Sequence, residues 1–220
     1  MPEPDPRTPR ERYRAQVREE IKKLAWEQIG SAGASAISLN AIAKQMGMSG
    51  PALYRYFANR DELITALIRD AYRSLADVFR ARAAAGADLA ELARTMRRWA
   101  LDDPHRYLLV FGTPVPGYQA PEDTTRIASE VMAVLLDAFA AVEALEPPAD
   151  PAAEALDAHL AEHRDWAGDH PASAAALRRS LTFWTRLHGV LSLELAGHFT
   201  GMGFDAAELY AAETAALTSP

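Results

Sequence analysis

From about residue 8 to residue 30, Val17, Ile21, Leu24, Ala25 and Ile29 recur at steps of three and four, which places one apolar stripe along a helix. Gly30 and Gly33 are expected to end it. Leu39, Ile42, Ala43 and Met46 then keep the same period behind Ser38, a side chain suited to capping a helix start. Gly47 follows where a left-handed residue would close that short helix. A second short helix is predicted from about 50 to 56, with Ser49 at its cap and Pro51 in its first turn, where a missing N–H is harmless. Leu53 and Phe57 complete the inward set. Asn59 with Glu62 three residues on has the spacing of a capping box and opens a long helix to about 84, before Gly86. Further helices are expected near 88–102, 104–111, 121–145, 151–166, 172–199 and 205–217, with Asp103 and Pro104 as a cap and first-turn pair. The stretches GTPVPGYQAP (112–121) and EPPADP (146–151) interrupt the pattern as loops or corners.

This pattern predicts an all-α protein of about nine to ten helices. Ala, Leu, Arg and Glu dominate, and no two-residue hairpin signal separates alternating apolar runs. The 220 residues allow one large core or two smaller ones. The organisation expected is a disordered, proline-rich arm over residues 1–9, a three-helix domain over 10–60 linked through helix 60–84, and a larger helical domain over 61–220. The absence of Cys excludes disulfides, thiolate metal sites and Cys nucleophiles. No run approaches 18 apolar residues, and MPEPDPRTPR lacks the apolar segment of a signal peptide, so the expectation is a cytoplasmic protein with no membrane association.

Charge changes the picture further. The net charge of -7 divides unevenly: residues 1–60 hold 10 Lys and Arg against 6 Asp and Glu, and residues 61–220 hold 13 against 24, so the first part is +4 and the rest -11. A basic segment joined to an acidic remainder suits a polyanion on one face only. Two short helices joined by a Gly turn, the second rich in groups that can reach a groove, have the layout of a helix-turn-helix. With Leu53 and Phe57 turned inward, Gly50, Ala52, Tyr54, Arg55 and Tyr56 face outward. Tyr and Arg donate to phosphates or base edges, and Ala can meet a thymine methyl. Lys44 and Arg60 would flank a passing phosphate backbone, and Ser38, Asn40 and Ser49 complete the candidate DNA-binding set. The helix start at Ser49 and Gly50 also offers N–H groups and a positive dipole end to an anion.

SLNAIAKQMGMSGPALYRYFANRDELITALI resembles the N-terminal DNA-binding domain of the TetR family of bacterial transcriptional regulators, over about residues 10–68. The family pattern is a capped helix, a Gly turn, then a Ser followed by a Leu-Tyr-x-x-Phe ending, here Leu53, Tyr54, Arg55, Tyr56 and Phe57. The resemblance implies a homodimer, a repressor more than an activator, whose recognition helices enter successive major grooves of a near-palindromic double-stranded DNA operator, with half-sites about 34 to 36 Å apart. Gly50 and Ala52 depart from the family, which often has a polar residue and Thr there, so more of the specificity falls to Arg55, Tyr54 and DNA shape.

The remainder resembles the family's effector and dimerisation domain. PHRYLLVFGTPVPGYQAP (104–121) and FWTRLHGVL (183–191) resemble a subclass with a Trp-x-x-x-His-Gly pattern, here Trp184, His188 and Gly189. Trp99, Tyr107, Phe111, Phe183, Trp184 and His188, with Phe79 and Met96, could line an apolar cavity for a small-molecule effector, with plain core packing as the competing reading. Leu177, Leu181, Leu191 and Leu195 share a helical face near Gly189. The resemblance makes them, with helix 205–217, a four-helix dimer interface; intrachain packing is the alternative. Helix 60–84 belongs to both halves, so a ligand favouring misplaced recognition helices would release DNA through it.

HLAEH, His159 to His163, fits the H-x-x-E-H pattern of inverted zinc peptidases, and His at i and i+4 can share a metal. A zinc-dependent hydrolase or metal-binding protein is therefore the alternative, with His170 or Asp169 able at most to complete a structural or adventitious metal site. No persuasive distal Glu ligand stands out, and neither catalysis, a resident metal nor a cofactor is expected.

Overall fold

The structure is a computed structural model describing residues 8–119, 121–142 and 150–218. Among these there are ten α-helices and no strand. The chain forms two compact units. One is Met1–Asp70 with Thr113–Pro121, and the other is Ala71–Gly112 with Glu122–Pro220. The arm expected over residues 1–9 lies outside the described residues except for Thr8 and Pro9.

In the first unit, α1 (Pro9–Ala32) is opened by a capping box: Thr8 accepts from the Glu11 N–H while Glu11 accepts from the Thr8 N–H. The helix buries Ile21, Ala25 and Ile29, with Val17 and Leu24 half-buried at the edges of the stripe. Gly30 does not end it. The helix runs on to Ala32 and stops at Gly33, whose φ of 79° is open to Gly at little cost. A 3-10 turn, Ala34–Ala36, leads to α2 (Leu39–Gln45), capped by the Ser38 hydroxyl on the Ala41 N–H at 3.3 Å. Gly47 at φ 63° closes α2 and lets the Met48 N–H reach the Ala43 carbonyl at 2.9 Å.

Then α3 spans only Gly50–Leu53, shorter than the expected 50–56, and residues 54–56 continue as turns. Ser49 stands at its N-cap without a side-chain capping bond. The long α4 (Arg60–Ala84) starts as expected, with Asn59 Oδ1 accepting from the Glu62 N–H at 2.8 Å. The return bond is displaced by one residue, since Glu62 accepts from Ala58 and not from Asn59. Leu39, Ile42, Ala43, Leu53, Phe57, Leu63, Ile64 and Leu67 bury together with the α1 stripe. The loop after residue 112 joins this unit: Val115 is buried, and the Tyr118 hydroxyl lies 3.0 Å from Thr65 Oγ1.

The second unit contains α5 (Leu89–Asp102), α6 (Pro104–Phe111), α7 (Glu122–Ala141), α8 (Pro151–Glu162), α9 (Ala174–Leu195) and α10 (Ala206–Thr218). Asp88, Asp103, Asp150 and Ser173 cap α5, α6, α8 and α9. Residues 143–145 of the expected 121–145 helix, and 146–149 of the EPPADP break, lie outside the described residues. Helix α8 ends at Glu162 and not near 166. His163 leaves helical geometry, and Arg164 turns to donate to the carbonyls of His170 and Ala172. α9 packs against α5, α6, α7, α8 and α10, so the core of this unit lies around it.

Candidate nucleic-acid interface and effector core

The segment from α3 through the turn at 54–56 projects its exposed residues because its other side is fully spent on the core. Leu53 and Phe57 are completely buried, which turns Tyr54, at 44% exposure, and Arg55 outward. Asn40, Lys44 and Ser49 are exposed as well. A Cβ placed on Gly50 would lie 3.6 Å from Asn40 Oδ1, so the starts of α2 and α3 adjoin.

Several members of the expected set have structural partners. Gly50 and Ala52 are partly covered, and Tyr56 is half-buried. Ser38 is occupied in capping α2, and its N–H donates to Gln28 Oε1 at 2.8 Å. Arg60 is half-buried and donates from Nη2 to the Ala34 carbonyl at 2.9 Å, a tie between elements that the sequence reading did not foresee. The start of α3 presents fewer N–H groups than expected. Pro51 has none, and those of Ala52 and Leu53 point at the Ser49 carbonyl.

Two residues absent from the expected set hold this surface in shape. Arg14 donates to the Arg55 carbonyl at 3.0 Å with its guanidinium 5.9 Å from the Tyr56 ring centre. Arg18, one helical turn later, donates to the Tyr56 carbonyl and lies 4.0 Å over Phe57. Their i, i+4 spacing is visible in the sequence; that their acceptors are backbone carbonyls is not. Beside them Lys22 bonds Asp70 at 2.5 Å and Glu19 at 2.6 Å. Burial opposes its charge, but these carboxylates prevail and raise its pKa.

In the second unit, Tyr107, Phe111, Trp184 and His188 come together. The His188 ring centre lies 4.1 Å from Trp184, 4.3 Å from Phe111 and 5.5 Å from Tyr107. Tyr72 and Ser192, missed in the sequence, complete the group: Tyr72 meets Phe111 edge-on at 5.8 Å, and Ser192 Oγ lies 2.9 Å from the Tyr107 hydroxyl. Ser192 stands one turn beyond His188, a spacing that could have found it; Tyr72 comes from α4, which no local signal connects to α6. Phe79, Met96 and Phe183 are buried in the surrounding core, with Phe183 edge-on to Phe139 at 5.6 Å. Trp99 has its own partners: its indole donates to Ser74 at 3.1 Å, and Arg106 lies 4.4 Å over its ring. Burial draws the His188 pKa down to about 3 and pushes that of Tyr107 up.

The residues expected at a dimer interface divide in two. Leu177 and Leu191 are fully buried within their own chain, because α9 has neighbours on several sides, and Leu181 and Leu195 are half-buried against that core. Gly189 is exposed, and so are Thr185 and Leu193, one turn to either side. On α10, Ala211, Ala212, Ala215 and Ala216 are exposed.

His159 and His163 stack at 4.2 Å, but His163 caps the end of α8 with Nδ1 3.0 Å from the His159 carbonyl. His170 is engaged by Asp137 at 3.1 Å and by the Ala172 N–H. Among the described residues no group of three or more His, Cys, Asp or Glu is placed to hold a metal ion. No helix among them is long and apolar enough to cross a membrane.

Comparison with known proteins places both parts of the chain in described families. Residues 21–67 match the family described as bacterial regulatory proteins, tetR family, and residues 89–217 match the tetracyclin repressor-like C-terminal domain. The HTH-type transcriptional regulator Rv1816 of Mycobacterium tuberculosis (strain ATCC 25618 / H37Rv) is 37% identical over 196 residues, covering 84% of this chain and 83% of its own. A crystal structure of the regulatory protein SCO4313 is 68% identical with a TM-score of 0.89, over 97% of this chain and 100% of that one. A transcriptional regulator of the TetR/AcrR family from Thermobifida fusca YX-ER1 shares the fold at 19% identity, with a TM-score of 0.60 over 93% of this chain and 97% of its own. Nothing in these matches supports the hydrolase alternative raised by HLAEH. With a helix-turn-helix unit in front of a helical C-terminal domain, the chain belongs to the TetR family of transcriptional regulators, which are DNA-binding proteins and not enzymes.

Proposed function

We propose that the chain is a cytoplasmic repressor that holds a near-palindromic operator as a homodimer and releases it when a small apolar or aromatic molecule occupies the C-terminal unit. The observation that carries the DNA side is the pair Tyr54 and Arg55, exposed beyond a four-residue helix whose inward neighbours Leu53 and Phe57 are fully buried. A guanidinium and a phenol so presented are the donors a major groove or its phosphates accept. In this reading Arg55 and Tyr54 address bases, and Asn40, Lys44 and Ser49 address the backbone. Ser38, Tyr56 and Arg60 serve mainly to hold the surface. Gly50 and Ala52 contribute closeness of approach, which leaves DNA shape a larger share of specificity.

The effector site is proposed around Tyr107, Phe111, Trp184 and His188, in keeping with a resemblance to the Trp-x-x-x-His-Gly subclass. A ligand shared between two conformations changes operator occupancy by its differential affinity, typically about 5- to 150-fold in such coupled systems. In vitro selection from random duplex DNA tests the reading. The expected product is an inverted repeat with half-sites about 34 to 36 Å apart, and Arg55→Ala should flatten the logo at one position in each half-site. Absence of specific binding at moderate salt would defeat the proposal.

A further inference from the structure

The His188 imidazole carries a hydrogen-bonding atom that the fold leaves unused. Its Nδ1 lies 2.8 Å from the Tyr107 hydroxyl, which is in turn 2.9 Å from Ser192 Oγ. His188 as a residue is half-buried, yet its Nε2 is shut off from solvent and has no hydrogen-bond partner among the described residues. Trp184 and Phe111, the nearest rings, are themselves only half-buried, so the aromatic wall around the imidazole has an outer edge.

Which ring nitrogen holds the proton follows from the acids and bases present. Burial keeps the ring neutral at physiological pH, so it has one N–H and one lone pair. A phenol is a stronger acid than an aliphatic hydroxyl or a neutral imidazole, and an imidazole nitrogen is a better acceptor than a phenol oxygen. Tyr107 therefore donates to Nδ1, and Ser192 donates to Tyr107. The opposite arrangement would spend the phenol proton on Ser192 or on the His188 carbonyl, 3.3 Å away. With Nδ1 as acceptor, the remaining ring proton sits on Nε2 as a buried donor without an acceptor, a costly condition that a ligand can relieve.

We propose that this site binds an aromatic or apolar molecule bearing one neutral hydrogen-bond acceptor, such as a ketone, ester, lactone or amide carbonyl, which accepts the Nε2–H of His188. The inference rests on the effector-site reading above and gives it a chemical class. Among the described residues, the groups recorded against the His188 ring are the rings of Tyr107, Phe111 and Trp184 and the Tyr107 hydroxyl, none of them a cation, so a carboxylate would lose its hydration without a counter-charge there.

The test uses the full-length wild-type protein, labelled with 15N, and probes matched in shape: 1-indanone against indane, acetophenone against ethylbenzene, and benzoate. In the free protein, the side-chain 1H–15N correlation of His188 should show a protonated Nε2 and a bare Nδ1. Each ketone should bind at least fivefold tighter than its hydrocarbon partner, and tighter than benzoate, while displacing the Nε2–H signal. Tyr107→Phe keeps the aromatic wall but frees Nδ1, so the proton divides between the two nitrogens and the preference for ketones shrinks. Equal binding of ketone and hydrocarbon at His188 overturns the acceptor rule and leaves an apolar effector site standing. A protonated Nδ1 in the free protein, or tighter binding of benzoate, also overturns the rule alone. Failure of every ketone to bind up to its solubility limit, or binding that leaves the His188 signals unmoved, overturns both the rule and the effector site.

Discussion

His188 shows how one residue can couple the stability of the second unit to pH. Its pKa lies near 3 in the folded protein because burial disfavours the imidazolium, against about 6.5 in an unfolded chain. Between those values the unfolded chain binds a proton that the folded one does not. Stability must therefore fall as pH drops below about 6.5, by at most about 1.4 kcal/mol per pH unit, and this residue contributes no dependence above that window. In urea unfolding, the wild-type protein should lose up to about 2 kcal/mol more than His188→Gln between pH 7 and pH 5. Parallel losses in the two proteins would mean that His188 titrates as an exposed histidine does. The same residue shows what a sequence conceals. Its place on a helical face with Trp184 was legible, but its neutrality depends on Tyr107 and Phe111, which come from a different helix.

At the scale of elements, α2 and α3 were legible because Ser38, Gly47 and Pro51 act within a few residues of themselves. The extent of α3 was not. The carbonyls of Gly50, Ala52 and Leu53 are met by N–H groups of the residues that follow, but those of Arg55 and Tyr56, in the turn beyond α3, are received by Arg14 and Arg18 of α1. Nothing local to α3 announces such donors, just as nothing local told Arg60 that it would bind Ala34. The fold of α1 thus orders the turn that carries Tyr54 and Arg55. Arg14→Ala should weaken operator binding about five- to tenfold, the worth of about one net hydrogen bond. As a positioning residue it should leave both the selected sequence and the salt dependence of binding unchanged. A residue bonded directly to phosphate would instead lower the salt slope by about 1 when removed, so titrations at several salt concentrations decide between the two roles. Arg14→Lys, which keeps a donor, should restore part of the affinity.

For the whole molecule, the proposed dimer turns on Gly189. A glycine inside a helix costs about 1 kcal/mol relative to alanine unless something needs the space a side chain would take. Among the described residues nothing does: apart from its own helix's backbone, a Cβ built at Gly189 meets no atom within 4 Å. The residue lies inside α9, between exposed Thr185 and Leu193, and α10 offers exposed alanines at 211, 212 and 216. Leu193 is 45% exposed, an apolar side chain that a second copy of the same face would cover. The stripe of leucines could not name its partner, because several helices of the same chain compete for it, and Leu177 and Leu191 are buried against them. Gly189, the exposed alanines and Leu193 remain open to a partner. Gly189→Ala should raise the stability of the isolated protomer, by up to about 1 kcal/mol, because the helix gains and no contact within the chain is lost. Gly189→Arg should leave the protomer folded by circular dichroism yet monomeric by sedimentation. Its affinity for a full operator should fall to that for a half-site, since each recognition helix would then bind alone. If Gly189→Arg remains dimeric and retains the full operator affinity, the dimer is formed by a different face, and the glycine has no role in it.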